Sequence, residues 1–298
     1  MESLYVFFSG SGVETYIFIP PLVAFVVSFF TSMGGVSGAF LLLPFQMSVL
    51  NYTAPSVSGT NQLFNIVAIP SGVYRFIKEK RMVWPLTWAV IIGTLPGVLI
   101  GAIIRIKYLP DPRNFKFFVG FILFYIGLKI LNDVFKTKTE TADTKYRFIV
   151  RNASFTFKRI EFNFSNKKYS FSTILVIMLC FVVGIIGGIY GIGGGSIIAP
   201  FFITFLHLPV YVVAGAALMG TFVTSVAGVI FYQALAFFYP NASIAPDWYL
   251  GLLFGIGGFF GIYLGARCQK YFPAYIIKSI LCFCVLFVAA KYIFDFFT

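Results

Sequence analysis

The sequence predicts an all-α polytopic membrane protein: two inverted repeats of about five membrane segments each, with short or broken helices at glycine-rich runs. Three observations predict it. The composition is too apolar for water, the apolar segments recur in order, and the two halves are copies whose basic residues lie at opposite ends. Of 298 residues, 59% are hydrophobic and 11% charged, against roughly 25% charged in a soluble domain. Such a chain cannot cover a globular surface with polar atoms, and it belongs in a bilayer.

A membrane span needs about 20 mostly apolar residues, fewer where a helix is broken. On that measure segments fall at 16–31, 38–50, 55–74, 84–104 and 115–131, then, after a polar stretch at 132–170, at 173–190, 195–206, 210–235, 248–266 and 274–294. The expected organisation is a first transmembrane repeat at 1–132, a basic cytoplasmic linker at 133–171 and a second repeat at 172–298. Residues 1–12 have no basic region ahead of an apolar run, which argues against a cleaved signal peptide.

The halves align. At a constant spacing of 156 residues, Gly35, Gly38, Pro44, Val57, Gly59, Gly72 and Val73 fall on Gly191, Gly194, Pro200, Val213, Gly215, Gly228 and Val229. After an eight-residue insertion the spacing becomes 164, and Trp84, Gly93, Gly97 and Gly101 meet Trp248, Gly257, Gly261 and Gly265. Glycine, proline and tryptophan in register mark an internal duplication.

Basic residues orient the copies. The net charge of +12 comes from 22 Lys and Arg against 10 Asp and Glu. The loop after the third segment carries Arg75, Lys78, Lys80 and Arg81, whereas its counterpart at 236–247 carries none. Short basic loops stay cytoplasmic, so the copies are inverted and each half crosses an odd number of times. Five full spans satisfy this, as do three spans plus a hairpin of half-helices. The linker then lies inside and both termini outside. Arg105, Lys107, Arg113 and Lys116 fall on the outer side as an exception, with 17 basic residues at the inner side and five at the outer.

Composition also narrows the chemistry. A single histidine, His207, precludes a cage of several imidazoles, and Cys180, Cys268, Cys282 and Cys284 show no metal or disulfide spacing. No Asp or Glu lies deep within a span; cation carriers usually place carboxylates there, so an anion is the favoured cargo. Nothing resembles a nucleophile with its base, so no enzyme is expected, and no cofactor or metal.

Inverted repeats with short, glycine-interrupted segments point to alternating-access transport. The candidate substrate-binding residues are Gly34, Gly35, Ser37 and Gly38 at the first junction and Gly191, Gly193, Gly194, Gly195 and Ser196 at the second. A helix opening after such a run aims amide N–H groups and its positive end at the gap, which suits an anion; the alternative is close helix packing. Asn61 and Asn65, four apart on one helix face, with Thr221 and Ser225 in the second copy, either line a cavity or hydrogen-bond between helices. Gly93, Gly97 and Gly101, like Gly257, Gly261 and Gly265, read as packing stripes.

At these positions the chain resembles the TauE/SafE sulfite exporter family. The resemblance rests on residues 34–38 with Pro44, 56–61 with Asn65 to Gly72, and 191–200 with 213–217. It implies a plasma-membrane, multi-pass carrier of sulfur-containing anions such as sulfite, thiosulfate or organosulfonates. Expected partners are that small-molecule anion and the lipid bilayer, with anionic lipids at the basic linker; nucleic acid is not expected. The alternative function is a membrane scaffold that docks a cytoplasmic partner through the linker.

Overall fold

The computed structural model describes residues 4–33, 36–80, 82–137, 150–164, 167–206, 208, 210–240, 242–268 and 274–297. The first half holds α1 (Ile19–Met33), α2 (Ala39–Ser48), α3 (Ser56–Lys78), α4 (Trp84–Lys107) and α5 (Pro112–Thr137). The second holds α6 (Thr173–Tyr190), α7 (Gly194–Phe205), α8 (Val210–Ala236), α9 (Trp248–Cys268) and α10 (Ala274–Phe297). Helices therefore occupy the ten predicted segments, and five of them are long and apolar enough to cross a membrane: α4, the first 21 residues of α5, α6, α8 from Val212, and α9. Their outward faces carry Trp88, Ile92, Leu175, Met178, Ile256 and Phe260, all exposed as lipid contact requires.

Short antiparallel sheets add to this helical frame. Strands β1 (Tyr5–Phe8) and β2 (Val13–Tyr16) pair as a hairpin ahead of α1. Within the linker, β3 (Val150–Phe155), β4 (Arg159–Phe164) and β5 (Lys167–Ser172) form a sheet in sequence order. The predicted linker thus holds ordered structure. Its signal is period-two alternation: Ile160, Phe162 and Phe164 are buried while Arg159 is exposed and Glu161 and Asn163 are half-buried.

Two glycine stripes lock the halves together. The Cβ of an alanine at Gly93, Gly97 or Gly101 on α4 would lie 2.6, 2.4 and 2.3 Å from the carbonyl oxygens of Ile177, Phe181 and Ile185 on α6. At Gly257, Gly261 or Gly265 on α9 it would lie 1.9, 2.4 and 2.2 Å from those of Pro21, Phe25 and Phe29 on α1. Only residues without side chains let backbones approach so closely. Each half lends its first helix to the fourth helix of the other.

These contacts also give direction. Numbers rise together along α4 with α6, along α9 with α1, and along α3 with α9, where Leu63 meets Gly251 and Val67 meets Gly255. They run oppositely between α3 and α8, where Gly59 meets Tyr232 and Gly72 meets Leu218. Along α4 and α8 numbers rise together again, Val90 meeting Gly220 and Ala102 clustering with Tyr232, so α1, α3 and α9 run one way and α4, α6 and α8 the other. Gly38 at the start of α2 lies against Ser28 of α1, while Phe45 meets Phe254 of α9, one turn before Gly257, which packs on Pro21 near the start of α1, so α2 turns back along α1. At about 1.5 Å per residue the 10 residues of α2 and 12 of α7 reach about 15 and 18 Å, well short of a hydrocarbon core of about 30 Å. The first pair, α1 and α2, is a hairpin of short helices rather than two full spans.

The polar ends sort to two faces. Val150 N–H donates to the Lys80 carbonyl at 3.5 Å, putting the linker sheet beside the α3–α4 loop. Ser11 Oγ donates to Asp247 Oδ2 at 2.7 Å, putting the N-terminal hairpin beside the α8–α9 loop.

Candidate functional site

The two glycine-rich junctions meet against α3 and α8. At the first, Ser37 and Gly38 are buried, Gly38 opens α2 as its N-cap, and Ser37 Oγ accepts the Ala39 N–H at 3.3 Å. Ser37 then donates its hydroxyl to Asn65 Oδ1 at 2.5 Å. Gly34 and Gly35 lie outside the described residues.

At the second junction, Gly191 ends α6 with φ +77°, its N–H bonding back to the Gly187 carbonyl, and Gly193 precedes α7 with φ +75°. Both angles favour glycine. Space demands it as well, since a Cβ on Gly191 would lie 2.4 Å from Ser58 Cα. The opening turn of α7 has no side-chain cap. It rests on α8, where a Cβ on Gly193 would lie 3.1 Å from Ser225 Oγ and 3.2 Å from Thr224 Oγ1, and one on Gly195 2.1 Å from the Ala217 carbonyl. Gly194 packs instead on Thr94 of α4. Ser196 and Thr221 share a hydroxyl bond of 3.1 Å, and Thr221 also donates to the Ala217 carbonyl at 2.8 Å.

Asn61 and Asn65 join the junctions to each other. Asn61 Nδ2 donates to the carbonyls of Ala39 at 3.0 Å and Gly191 at 3.2 Å, while its Oδ1 accepts from Gln46 Nε2 at 3.3 Å. Asn65 Nδ2 donates to the Ile192 carbonyl at 3.0 Å and to Ser225 Oγ at 3.3 Å. Both are fully buried, and both hydrogens of each amide are committed to protein acceptors. In this conformation they are interhelical fasteners, and holding a ligand would require one of these bonds to open.

Every described site residue predicted from sequence therefore falls on one region of the bundle. Sequence reasoning did not single out Tyr190, whose hydroxyl donates to the Phe40 carbonyl at 2.6 Å, or Gln46. Gln46 was discoverable as an amide in a short apolar segment. Arg105, which reads as an outer-loop charge in the sequence, lies inside α4 and is fully buried. His207 lies outside the described residues, and among those described no three His, Cys, Asp or Glu side chains converge as a metal would need.

Toward the face of the N-terminal hairpin, Tyr52 bonds Thr60, and Thr60 Oγ1 accepts the Asp247 N–H at 2.8 Å. Burial pushes the Tyr52 phenol above its ordinary range, so it stays neutral.

Comparison with known proteins bears on what this arrangement serves. A family model described as "Sulfite exporter TauE/SafE" matches residues 21–292. A Bacillus subtilis (strain 168) protein described as "Probable membrane transporter protein YunE" is 25% identical over 271 residues, spanning 89% of this chain and 92% of the relative. No solved structure matches the chain.

Proposed function

The chain belongs to the TauE/SafE sulfite exporter family, and from that premise we propose that this multi-pass membrane transporter carries a small sulfur-containing anion across the plasma membrane by alternating access. Sulfite, thiosulfate and organosulfonates are the candidate cargoes. The carrying observation is the convergence of both glycine junctions on Asn61 and Asn65, which ties the opening ends of two short helices to one place.

The anion is held by amide N–H groups of the α2 and α7 openings, from Gly34 to Gly38 and Gly191 to Ser196, with Asn61, Asn65, Thr221 and Ser225 as side-chain partners. The positive ends of two helices favour negative charge there, and no Asp or Glu among the described residues joins the network. The repeats are inverted, a reading supported by the opposite running of counterpart helices α1 and α6, α3 and α8, and α4 and α9. The basic linker at 133–171 faces the cytoplasm and anionic lipid, following the Lys and Arg distribution.

Purified protein in proteoliposomes with labelled sulfite or thiosulfate tests the proposal. Saturable flux of either anion is expected, and absence of flux for every small sulfur anion would overturn it.

A further inference from the structure

We propose that Arg105, Tyr232, Ser58 and Gln62 form a second anion subsite, between the α2–α7 junction and the face bearing the N-terminal hairpin, which takes a small sulfur oxyanion. The proposal rests on the transport reading above.

All four side chains are fully buried. Arg105 donates one guanidinium nitrogen to the Leu109 carbonyl and another to that of Thr53, at 3.3 Å for the latter, and lies 3.7 Å over the Phe115 ring. Its Nε has no partner, and among the described residues it forms no ion pair. A guanidinium buried without a counter-charge is strongly disfavoured unless an anion completes it. Ala102 and Ile106, which flank Arg105 on α4, pack in one buried cluster with Tyr232. Gly59, beside Ser58, packs on Tyr232, so the two buried hydroxyls face each other across α3 and α8, and neither makes a hydrogen bond to any group outside this pair. One helical turn beyond Ser58, both amide atoms of Gln62 are likewise unpartnered. Ser58 itself abuts Gly191, so the cluster adjoins the junction.

Helix packing does not require the polar atoms of Ser58, Gln62 and Tyr232, as their counterparts in the other half indicate. Ser58, Gln62 and Tyr232 correspond, at the 156-residue spacing, to Ala214, Leu218 and Phe76, all buried. Gly215 packs on Phe76 as Gly59 packs on Tyr232, and Gly72 packs on Leu218 as Gly228 packs on Gln62. At these three positions one side of a nearly symmetric core is apolar, while the other offers hydroxyl and amide donors beside the Arg105 guanidinium, with no carboxylate among the four. That donor set fits an oxyanion through charge-assisted hydrogen bonds and rejects cations.

The test installs the apolar counterparts together, as Ser58→Ala, Gln62→Leu and Tyr232→Phe, in the full chain, with Arg105→Gln as a separate variant. Isothermal titration of purified protein with sodium sulfite and sodium thiosulfate, at constant ionic strength set by chloride, reads the affinity; thermal unfolding without these anions reads the packing. The triple variant should keep or raise the unfolding temperature while its Kd rises at least tenfold, and Arg105→Gln should weaken binding at least as much. Wild-type affinity in the triple variant would overturn the subsite and leave the transport reading standing, and a lowered unfolding temperature with unchanged Kd would identify the cluster as packing. If the wild-type protein binds neither anion, the transport reading fails and the subsite with it.

Discussion

The Tyr190 hydroxyl donates to the Phe40 carbonyl oxygen, 150 residues away, and completes a hydrogen bond that α2 cannot make for itself. Phe40 lies four residues before Pro44, which has no N–H to return. The end of α6 thus supplies what the proline withholds. Tyr190→Phe should lower stability by about 1–3 kcal/mol through the orphaned buried carbonyl. Adding Pro44→Ala should recover part of that loss, because the helix regains its donor. Thermal unfolding of both variants measures the coupling; strictly additive effects would contradict it.

Gly97→Ala and Gly261→Ala each place a methyl 2.4 Å from a carbonyl oxygen of the facing helix. Overpacking of this kind costs about 1–3 kcal/mol or more. Each variant should lose yield and unfolding temperature, whereas Ile100→Ala, on an exposed position of α4, should behave as wild type by size-exclusion profile.

Asn65→Ala removes the bridge between Ser37, Ile192 and Ser225. Flux in proteoliposomes should fall at least tenfold, with Ser225→Ala milder because Asn65 keeps its bond to Ile192. Equal flux in Asn65→Ala and wild type would remove this residue from the transport machinery.

The linker sheet should weaken in acid. Glu161 bonds Lys168 at 2.8 Å and Ser170 at 3.1 Å, and the Lys168 bond above all holds its carboxyl below the ordinary range. A depressed folded value means the stabilisation is complete above the unfolded pKa and lost as pH falls through the folded one. Protection factors of the β4 and β5 amides, corrected for intrinsic exchange, should therefore fall in acid in the wild type, by a small amount for so exposed a pair, and Glu161→Gln should abolish that fall.

Inversion of the repeats predicts opposite labelling. With the four native cysteines replaced, Lys80→Cys should react with an impermeant thiol reagent only from the cytoplasmic side and Phe238→Cys only from outside. Labelling of both from one side would refute the inverted arrangement.

Span positions were legible because hydropathy is local. The predicted segment 84–104 became α4 at Trp84–Lys107, and 173–190 became α6 with the same limits. The packing role of the glycine stripes was equally visible, since four-residue spacing places them on one face. The N-terminal hairpin went unread, because its four-residue strands are too short for alternation to stand out. Within the site, Asn61, Asn65 and the glycine runs were visible as polar or flexible residues in apolar surroundings, while Tyr190 looked like one more aromatic beside a span.

By itself the sequence determined the membrane class, the order and approximate place of the apolar segments and the likeness of the two halves, all properties of neighbouring residues or of self-similarity along the chain. Only the tertiary structure decided that each half lends its first helix to the other's fourth, that Asn61 reaches Ala39 and Gly191 at once, and that Arg105 is buried. The physical reason is one of distance: a stripe of glycine announces that a backbone will come close, but the partner is chosen by packing among helices far apart in sequence. The burial of a charge likewise depends on which groups that packing brings around it.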